Sequence, residues 1–227
     1  MPPEPNGTSS STDPPPVANT HERIARWTGV PEIDQEIAQR AATIIRRGGL
    51  VVYPTDTVYG VGCDPLNEAA IRRVYEVKGR PDEKAIIWLV CTIEDARAWC
   101  VVDSRAERLA ARFWPGGLTI ILPRRSPSAS GLNTLGIRAP AHAAALAIIG
   151  AAGGRVATTS ANKTGQPAAR TGSEAAEAIG SSVDLVVDAG ETPGGIESTI
   201  VNLSGPGYQI LRPGAISQEA VAEALER

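Results

Sequence analysis

The stretch that decides the fold reads GGLVVYPTDTVYGVGCDP and covers residues 48–65. It begins with Gly48-Gly49, which end a helix whose apolar residues fall on one face: Ile33, Ile37, Ala41, Ile44 and Ile45. Leu50 to Tyr53 is a short apolar run that ends at Pro54, as expected of a strand buried on both faces. A buried strand directly after an amphipathic helix is typical of an α/β sheet covered by helices.

The same alternation continues along the rest of the chain. Apolar runs predict further strands at residues 85–90, 118–122, 135–138, 156–159, 185–188, 198–203 and 209–211. Helices are predicted after Asn67, after the capping patterns Thr92-x-x-Asp95 and Ser104-x-x-Glu107, and at residues 141–149, 173–179 and 217–226. We therefore expect an α/β fold in a single domain, residues 23–227. A Pro- and Ser-rich tail, residues 1–22, should be disordered.

Composition excludes several classes of protein. The 22 basic and 25 acidic side chains give a net charge of −3, so any anion site must be a local cluster. Two histidines, His21 and His142, and three scattered cysteines do not have the spacing of an ordinary zinc site or disulfide scaffold. No apolar run approaches the roughly 20 residues that cross a bilayer. Residues 1–22 lack the pattern of a signal or transit peptide. We expect a cytoplasmic protein without membrane association.

Polar residues follow the first predicted strand, where ligands bind in open α/β sheets. The segment Pro54–Gly62 contains two hydroxyls, a carboxylate, a phenol and two glycines. It is either a ligand-binding loop or a turn in which Asp56 and Thr57 cap backbone amides. Its Gly60-x-Gly62 pair is not a dinucleotide fingerprint, because Pro65 occupies the third glycine position.

Two further segments carry groups that suit phosphate. Lys78, Arg80 and Lys84 place three cations within seven residues. The helix dipole accounts for one such cation, whereas a bound phosphate accounts for the cluster. The loop Thr158–Asn162, which follows a predicted strand, could cap the next helix or donate hydrogen bonds to phosphate oxygens or a nucleobase.

Single polar residues at other strand ends complete the candidate site. Arg138 could hold a carboxylate or form a surface ion pair, and Ser198 and Arg212 add one hydroxyl and one cation. The chain contains no GxxxxGK[ST] phosphate loop and no GxSxG nucleophile elbow. His142 is expected to be structural and Cys63 to be an inert, buried thiol. The residues alone therefore predict an α/β domain that binds an anion, such as a nucleotide, without covalent catalysis.

In order along the chain, these segments resemble the YrdC-like family, the threonylcarbamoyl-AMP synthases. The resemblance covers residues 35–217. It rests on YPTDTVYGVGCDP (53–65), YEVKGRPDEKAI (75–86), WPGGLTIIL (114–122), LGIRAPAHAAAL (135–146), TTSANKTGQP (158–167), VDLVVDAG (183–190), ESTIVNL (197–203) and ILRPGAIS (210–217). Two small departures are Gly117, where the family often has proline, and Ala168, where serine is frequent.

The resemblance implies an α/β fold with a twisted mixed sheet, flanked by helices, around a large, positively lined cavity. The family makes threonylcarbamoyl-AMP and pyrophosphate from ATP, L-threonine and bicarbonate, and Mg²⁺ is expected with ATP. Transferase proteins then place the threonylcarbamoyl group on adenosine 37 of ANN-reading tRNAs, and weak tRNA binding is possible. Because the chain ends soon after ILRPGAIS, it resembles the single-domain form.

The resemblance also assigns roles to individual residues. Thr57, Arg138 and Ser198 would bind L-threonine. Lys78, Arg80, Ser160 and Asn162 would be the catalytic set around the phosphates. The ATP pocket would comprise that set together with Lys84, Thr134, Thr158 and Arg212. No protein residue is expected to form a metal site, and Asp56 and Glu197 are the carboxylates nearest to the motifs.

Two other functions compete with this interpretation. A basic, concave domain could be an RNA- or tRNA-binding module without adenylate-forming activity, although the acidic balance and the lack of interleaved aromatic residues speak against it. Related domains in hydrogenase maturation perform carbamoyl-adenylate chemistry, and they normally lie within larger chains.

Overall fold

The computed structural model describes residues 23–79, 86–128 and 131–226. The predicted tail, residues 1–22, and two predicted site residues, Arg80 and Lys84, lie outside the described residues. The strands are β1 (Ile24–Arg26), β2 (Val51–Tyr53), β3 (Gly60–Cys63), β4 (Ile87–Val90), β5 (Leu118–Pro123), β6 (Thr134–Arg138), β7 (Arg155–Ser160), β8 (Leu185–Asp188), β9 (Thr199–Asn202) and β10 (Gln209–Arg212). The α-helices are α1 (Pro31–Arg46), α2 (Glu68–Lys78), α3 (Ile93–Arg97), α4 (Ser104–Phe113), α5 (Ala143–Ala151), α6 (Gly172–Ile179) and α7 (Gln218–Glu226). None of these helices is long and apolar enough to cross a membrane.

The ten strands form one mixed sheet, in the order β1-β8-β2-β3-β7-β4-β6-β5-β9-β10. Four neighbouring pairs are parallel: β1/β8, β2/β8, β4/β6 and β5/β9. The five other pairs are antiparallel. The predicted α/β fold, a mixed sheet flanked by helices, is therefore confirmed.

Helices cover both faces of the sheet, so the central strands are apolar on both sides. In β2, Val51 and Tyr53 pack under α1 and α5, whereas Val52 packs in a second core with α2, α3, α4, α6 and α7. All three residues of β2 are fully buried. The continuous apolar run of the sequence thus corresponds to a strand covered on both faces.

The sequence pattern missed two strands, the short edge strand β1 and the central strand β3. The segment Pro54–Gly62 was expected to be a loop, but Gly60–Cys63 forms β3, which lies antiparallel between β2 and β7. A Cβ atom at Gly60 would lie 2.7 Å from Thr158 Cγ2, and one at Gly62 would lie 2.7 Å from Val156 Cγ1. The two glycines therefore make room for side chains of the neighbouring strand, which is a known use of glycine in strands. They have no role as a dinucleotide fingerprint.

One of the two predicted capping patterns is confirmed by the structure, and the other is wrong. Thr92 and Asp95 form the predicted capping box at the start of α3. The prediction that Ser104 caps α4 was wrong, because the N-cap is Asp103, whose carboxylate accepts a hydrogen bond from the backbone N–H of Ala106 at 3.0 Å. Aspartate and serine are equally good N-caps, so sequence alone could not choose between adjacent positions.

Candidate functional site

A cavity of about 760 Å³ opens on the face of the sheet that carries α1 and α5. Leu89 of β4 belongs to the core under these helices and also lines the cavity. Its volume lies within the range of about 300–1,000 Å³ that is usual for small-molecule sites. The predicted site residues that line it are Thr57, Lys78, Arg138, Thr158, Ser160, Asn162, Ser198 and Arg212.

Arg138, at the end of β6, is the buried cation of one wall, with 4% of its surface exposed. Its Nε donates to the carbonyl of Gly116 at 2.9 Å and its Nη1 to the hydroxyl of Thr57 at 2.8 Å. Its Nη2 donates to Asp56 at 2.5 Å. Burial lowers the pKa of Arg138, and the Asp56 carboxylate opposes that shift. Among the described residues these contacts use three of the five N–H groups, so one N–H on each Nη atom is left for a ligand.

The hydroxyl of Thr57 has a defined hydrogen-bond direction. Thr55 donates its only hydroxyl hydrogen to the carbonyl of Val58 at 2.7 Å. The 3.0 Å contact between the hydroxyls of Thr55 and Thr57 therefore has Thr57 as donor. Since Thr57 also accepts from Arg138, it can offer a ligand a lone pair but no hydrogen. A ligand group at this position should be an N–H or O–H donor.

Lys78, at the end of α2, holds the loop after β7. Its ammonium donates to the carbonyls of Ser160 and Asn162, at 2.7 and 2.9 Å, and to the side-chain oxygen of Asn162, also at 2.9 Å. Only 4% of Lys78 is exposed. Gly79 adopts a left-handed conformation (φ 58°) that ends α2 directly after the lysine. The structure thus brings together Lys78, Ser160 and Asn162, and the buried charge of Lys78 lies beneath the loop.

The hydroxyl and amide of that loop are ordered by the same contacts. Ser160 donates to the side-chain oxygen of Asn162 at 2.7 Å, and the amide nitrogen of Asn162 donates to the carbonyl of Gln166 at 2.6 Å. Nearby, the hydroxyl of Thr158 lies 2.5 Å from that of Tyr53, and burial raises the pKa of Tyr53 well above its ordinary value. Tyr53 therefore remains a neutral phenol that fixes Thr158.

Ser198 and Arg212 form a further part of the cavity wall, beside Arg138 and the loop after β7. The Ser198 hydroxyl lies 2.8 Å from the hydroxyl of Thr119 and accepts from Nη2 of Arg212 at 3.1 Å. Arg212 also donates to the carbonyl of Ser198 and forms a 2.8 Å ion pair with Glu197. Since more than a third of both side chains of this pair is exposed, the pair contributes little to stability and can rearrange around a ligand.

The family model described as telomere recombination, Sua5/YciO/YrdC, matches residues 43–214. The chain belongs to the Sua5/YciO/YrdC family.

Curated relatives of this family carry the name threonylcarbamoyl-AMP synthase. That of Pyrococcus abyssi is 35% identical over 214 residues, which cover 92% of this chain and 60% of the relative. That of Bacillus subtilis is 37% identical over 200 residues, 85% of this chain and 57% of the relative. That of Xanthomonas axonopodis is 37% identical over 180 residues, 76% of this chain and 95% of the relative. The chain thus spans about 60% of the length of the first two relatives.

Solved structures of the family have the same fold. Sua5 of P. abyssi in complex with L-threonine is 34% identical and superposes with a TM-score of 0.82, over 89% of this chain and 60% of Sua5. Escherichia coli YciO is 26% identical, with a TM-score of 0.75, over 82% of this chain and 93% of YciO.

Thr134 is the described site residue that the structure does not bring to the cavity. It is exposed at the first position of β6, whereas Arg138 ends the same strand. Arg80 and Lys84 lie outside the described residues, so the net charge of the cavity lining stays a prediction. His142 is structural, as predicted: its Nδ1 accepts from the backbone N–H of Ala144 at 3.2 Å and caps α5.

Sequence reasoning gave no individual role to several residues that line the cavity, among them Thr55, Tyr59 and Arg170. Thr55 orients Thr57, and its signal lay in the same PTDT motif. The hydroxyl of Tyr59 donates to the carbonyl of Gly190 at 2.7 Å, and burial raises the pKa of Tyr59 to about 12. Arg170 lines the cavity and forms a 2.6 Å ion pair with Glu191, and no local sequence pattern indicated it.

The cavity lining does not form a metal cage. The described residues contain no group of three or more His, Cys, Asp or Glu side chains that could hold a metal ion. Glu197 lines the cavity, but Arg212 already pairs with it. Hydroxyl, amide and cationic groups suit a metal that arrives with phosphate oxygens and water as its ligands, which is the usual manner of Mg²⁺ with nucleotides.

Proposed function

We propose that the chain is an L-threonylcarbamoyladenylate synthase, a nucleotidyltransferase that forms threonylcarbamoyl-AMP and pyrophosphate from ATP, L-threonine and bicarbonate. The observation that carries this proposal is one cavity with two different ends. A buried arginine beside an acceptor hydroxyl, Arg138 with Thr57, forms one end, and the Lys78-held loop with Ser160 and Asn162 forms the other. Relatives with the same fold are named as synthases, and P. abyssi Sua5 binds L-threonine.

The Arg138 end suits an amino acid. The two remaining N–H groups of its guanidinium would bind the threonine carboxylate, with a charge-assisted geometry that arginine favours. Thr57, which accepts but does not donate, would face the amine of the same substrate. Ser198 would lie close to the threonine, with Arg212 linking it to the nucleotide.

The other end suits the phosphates of ATP. Ser160, Asn162 and Thr158 would supply polar contacts, and Lys78 would supply a fixed positive charge beneath the loop. Arg80, Lys84 and Arg212 would bind phosphate oxygens, and Thr134 would extend the nucleotide pocket. Mg²⁺ would arrive as the ATP complex and neutralise phosphate charge.

The chemistry needs positioning and charge stabilisation. The neutral amine of threonine attacks the carbon of bicarbonate, which loses hydroxide, or adds to CO₂ formed from it. The amine gives up one proton in either case, so the products are N-carboxy-threonine and, from bicarbonate, water. An oxygen of that new carboxylate attacks the α-phosphorus of ATP, and the bond to the β-phosphate oxygen breaks, which releases pyrophosphate. Placing both substrates in one cavity makes the second step effectively intramolecular. Fixed cations stabilise the charge that develops on the phosphates.

The product would serve N6-threonylcarbamoyladenosine formation at position 37 of ANN-reading tRNAs. An acyl-adenylate is a reactive mixed anhydride, so transferase proteins of that pathway would consume it. These partners, weak binding of tRNA and a cytoplasmic location belong to the same proposal.

The test is threonine-dependent release of pyrophosphate by the purified protein with Mg·ATP and bicarbonate. Asn162→Ala should lower kcat/KM about 10- to 100-fold, the value of one charge-assisted hydrogen bond. Gln35→Ala, an exposed amide on α1, is the matched control and should have no effect. Arg80→Ala tests the phosphate contacts directly. Absence of pyrophosphate release together with salt-sensitive tRNA binding would instead support an RNA-binding module.

A further inference from the structure

A second, smaller cavity of about 330 Å³ lies on the opposite face of β4. Trp88 lines it, whereas its strand neighbours Ile87 and Leu89 line the main cavity, and successive side chains of a strand point to opposite faces. We call it the arginine pocket, and its main lining residues are Pro65, Leu66, Trp88, Trp99, Arg124 and Arg125. The sheet separates it from the proposed substrates.

Two consecutive arginines converge on this pocket. Nε of Arg124 donates to the carbonyl of Thr134 at 3.2 Å, and Nε of Arg125 donates to the carbonyl of Arg97 at 2.6 Å. Within residues 23–79, 86–128 and 131–226, neither arginine forms an ion pair with a carboxylate. Both guanidinium groups are thus anchored through Nε, which leaves their Nη atoms for an anion.

The aromatic residues fix the direction of Arg124. Its guanidinium lies over the ring of Trp88, 5.1 Å from the ring centre, and Trp99 packs edge-on against Trp88 at the same distance. A cation held on a tryptophan face is pre-organised, so it loses less conformational freedom when an anion binds. Part of the Arg124 side chain is buried against this ring, and that burial lowers the pKa of its guanidinium.

The rim of the arginine pocket limits the kind of ligand. Leu66 is 55% exposed and lies with Pro65 and Pro127 on the pocket wall, so part of the ligand should be apolar or flat. Glu68 also lines the pocket, 3.9 Å from Arg72, and leaves the two arginines in excess. A free inorganic ion would use the cations but not the apolar wall.

We propose that the arginine pocket binds a nucleotide unit, with its phosphate on Arg124 and Arg125 and its base against the apolar wall. This ligand chemistry has two sources, a free mononucleotide or a nucleotide of an RNA strand. The site is independent of the proposed synthase activity, because it lies across the sheet from the main cavity.

The experiment is calorimetric titration of the full chain with AMP. Because AMP also fits the proposed ATP site, the comparison is between two double variants of equal charge. Arg124→Gln/Arg125→Gln should weaken one class of AMP binding by about 10-fold or more, since each charge-assisted hydrogen bond is worth about that factor. Arg26→Gln/Arg47→Gln, exposed arginines elsewhere, should bind AMP as the unchanged protein does. Threonine-dependent pyrophosphate release should be equal in both.

Further measurements distinguish a free mononucleotide from RNA as the source of the ligand and control for misfolding of the double variant. Arg125→Gln alone changes an exposed side chain and should still weaken AMP binding several-fold. A single-stranded tetranucleotide that binds more tightly than AMP, with the same arginine dependence, identifies RNA as the source, and weaker binding identifies a free nucleotide. Superimposable AMP isotherms for the two double variants would overturn the proposal. Inorganic phosphate that binds as tightly as AMP would overturn the role of the apolar wall.

Discussion

Replacing Asp56 by alanine removes the anionic partner of a nearly fully buried arginine. Asp56 Oδ1 accepts from Arg138 Nη2 at 2.5 Å and from the backbone N–H of Ala141 at 2.9 Å. The exposed fractions of the two charged side chains are 5% for Arg138 and 14% for Asp56. Breaking a buried pair from one side costs about 3–5 kcal/mol, because an uncompensated charge stays buried. Since solvent reaches Asp56 in part, we expect about 3 kcal/mol.

The assay is urea unfolding at pH 7, followed by circular dichroism. A loss of about 3 kcal/mol is a large share of the roughly 5–15 kcal/mol that stabilises a typical domain. Asp56→Asn keeps the acceptor oxygen but not the charge, so it should cost less than Asp56→Ala. The double variant Asp56→Ala/Arg138→Met removes both charges and should be more stable than Asp56→Ala alone. This double-mutant cycle separates the free energy of the ion pair from the other effects of truncating each side chain.

Two results would refute the reasoning. If the free energy of unfolding of Asp56→Ala lies within about 1 kcal/mol of that of the unchanged protein, the pair behaves as an exposed ion pair. If the double variant is no more stable than Asp56→Ala, the cost comes from lost packing and not from a stranded charge.

Three other predictions follow from the same structure. Burial lowers the pKa of His142, so the unfolded chain binds its proton more readily; stability should fall as the pH drops below about 6.5. His142→Asn keeps the helix cap without titrating, and unfolding curves from pH 7 to 5 should show a smaller loss for this variant; an equal loss would exclude His142 as the source. Gly60→Ala places a Cβ atom 2.7 Å from Thr158 Cγ2 and should cost about 1–3 kcal/mol in urea unfolding, whereas an unchanged midpoint would contradict that close contact. Burial raises the pKa of Cys63 to about 12 and of Cys100 to about 11, so neither thiol should react with a disulfide reagent at pH 8 before the protein unfolds; rapid labelling of either would show that it is accessible.

The sequence predicted the central strands well because burial on both faces leaves a continuous apolar run. It failed for β3, Gly60–Cys63, where the decisive fact is the space that glycine gives to Thr158 on the neighbouring strand. It also failed for β1, Ile24–Arg26, which is only three residues long and pairs with one strand at the edge of the sheet. The close approach of a neighbouring strand and a position at the sheet edge both depend on distant residues, so the local sequence of β3 or β1 does not predict them.

The site was predictable as a set of residues but not as a set of contacts. Motifs identified Lys78 and Asn162, 84 positions apart, yet only the fold shows that the lysine points beneath the loop. The sequence indicated Asp56 only as a turn residue or as a carboxylate near the motifs. Its pairing with Arg138 depends on the meeting of two separate strand ends. Such pairings are set by sheet order, which adjacent residues do not encode.

The cavity walls come from segments that are far apart in the chain, from Thr55 to Arg212. A proteolytic or engineered fragment that lacks either the segment Thr55–Tyr59 or β10 would therefore contain only part of the cavity. Any molecule that occupies the complete cavity binds the folded chain and not its unfolded form, so its binding energy adds to the stability of the whole sheet. For this protein, a rise in melting temperature on addition of a candidate substrate is a direct measure of occupancy.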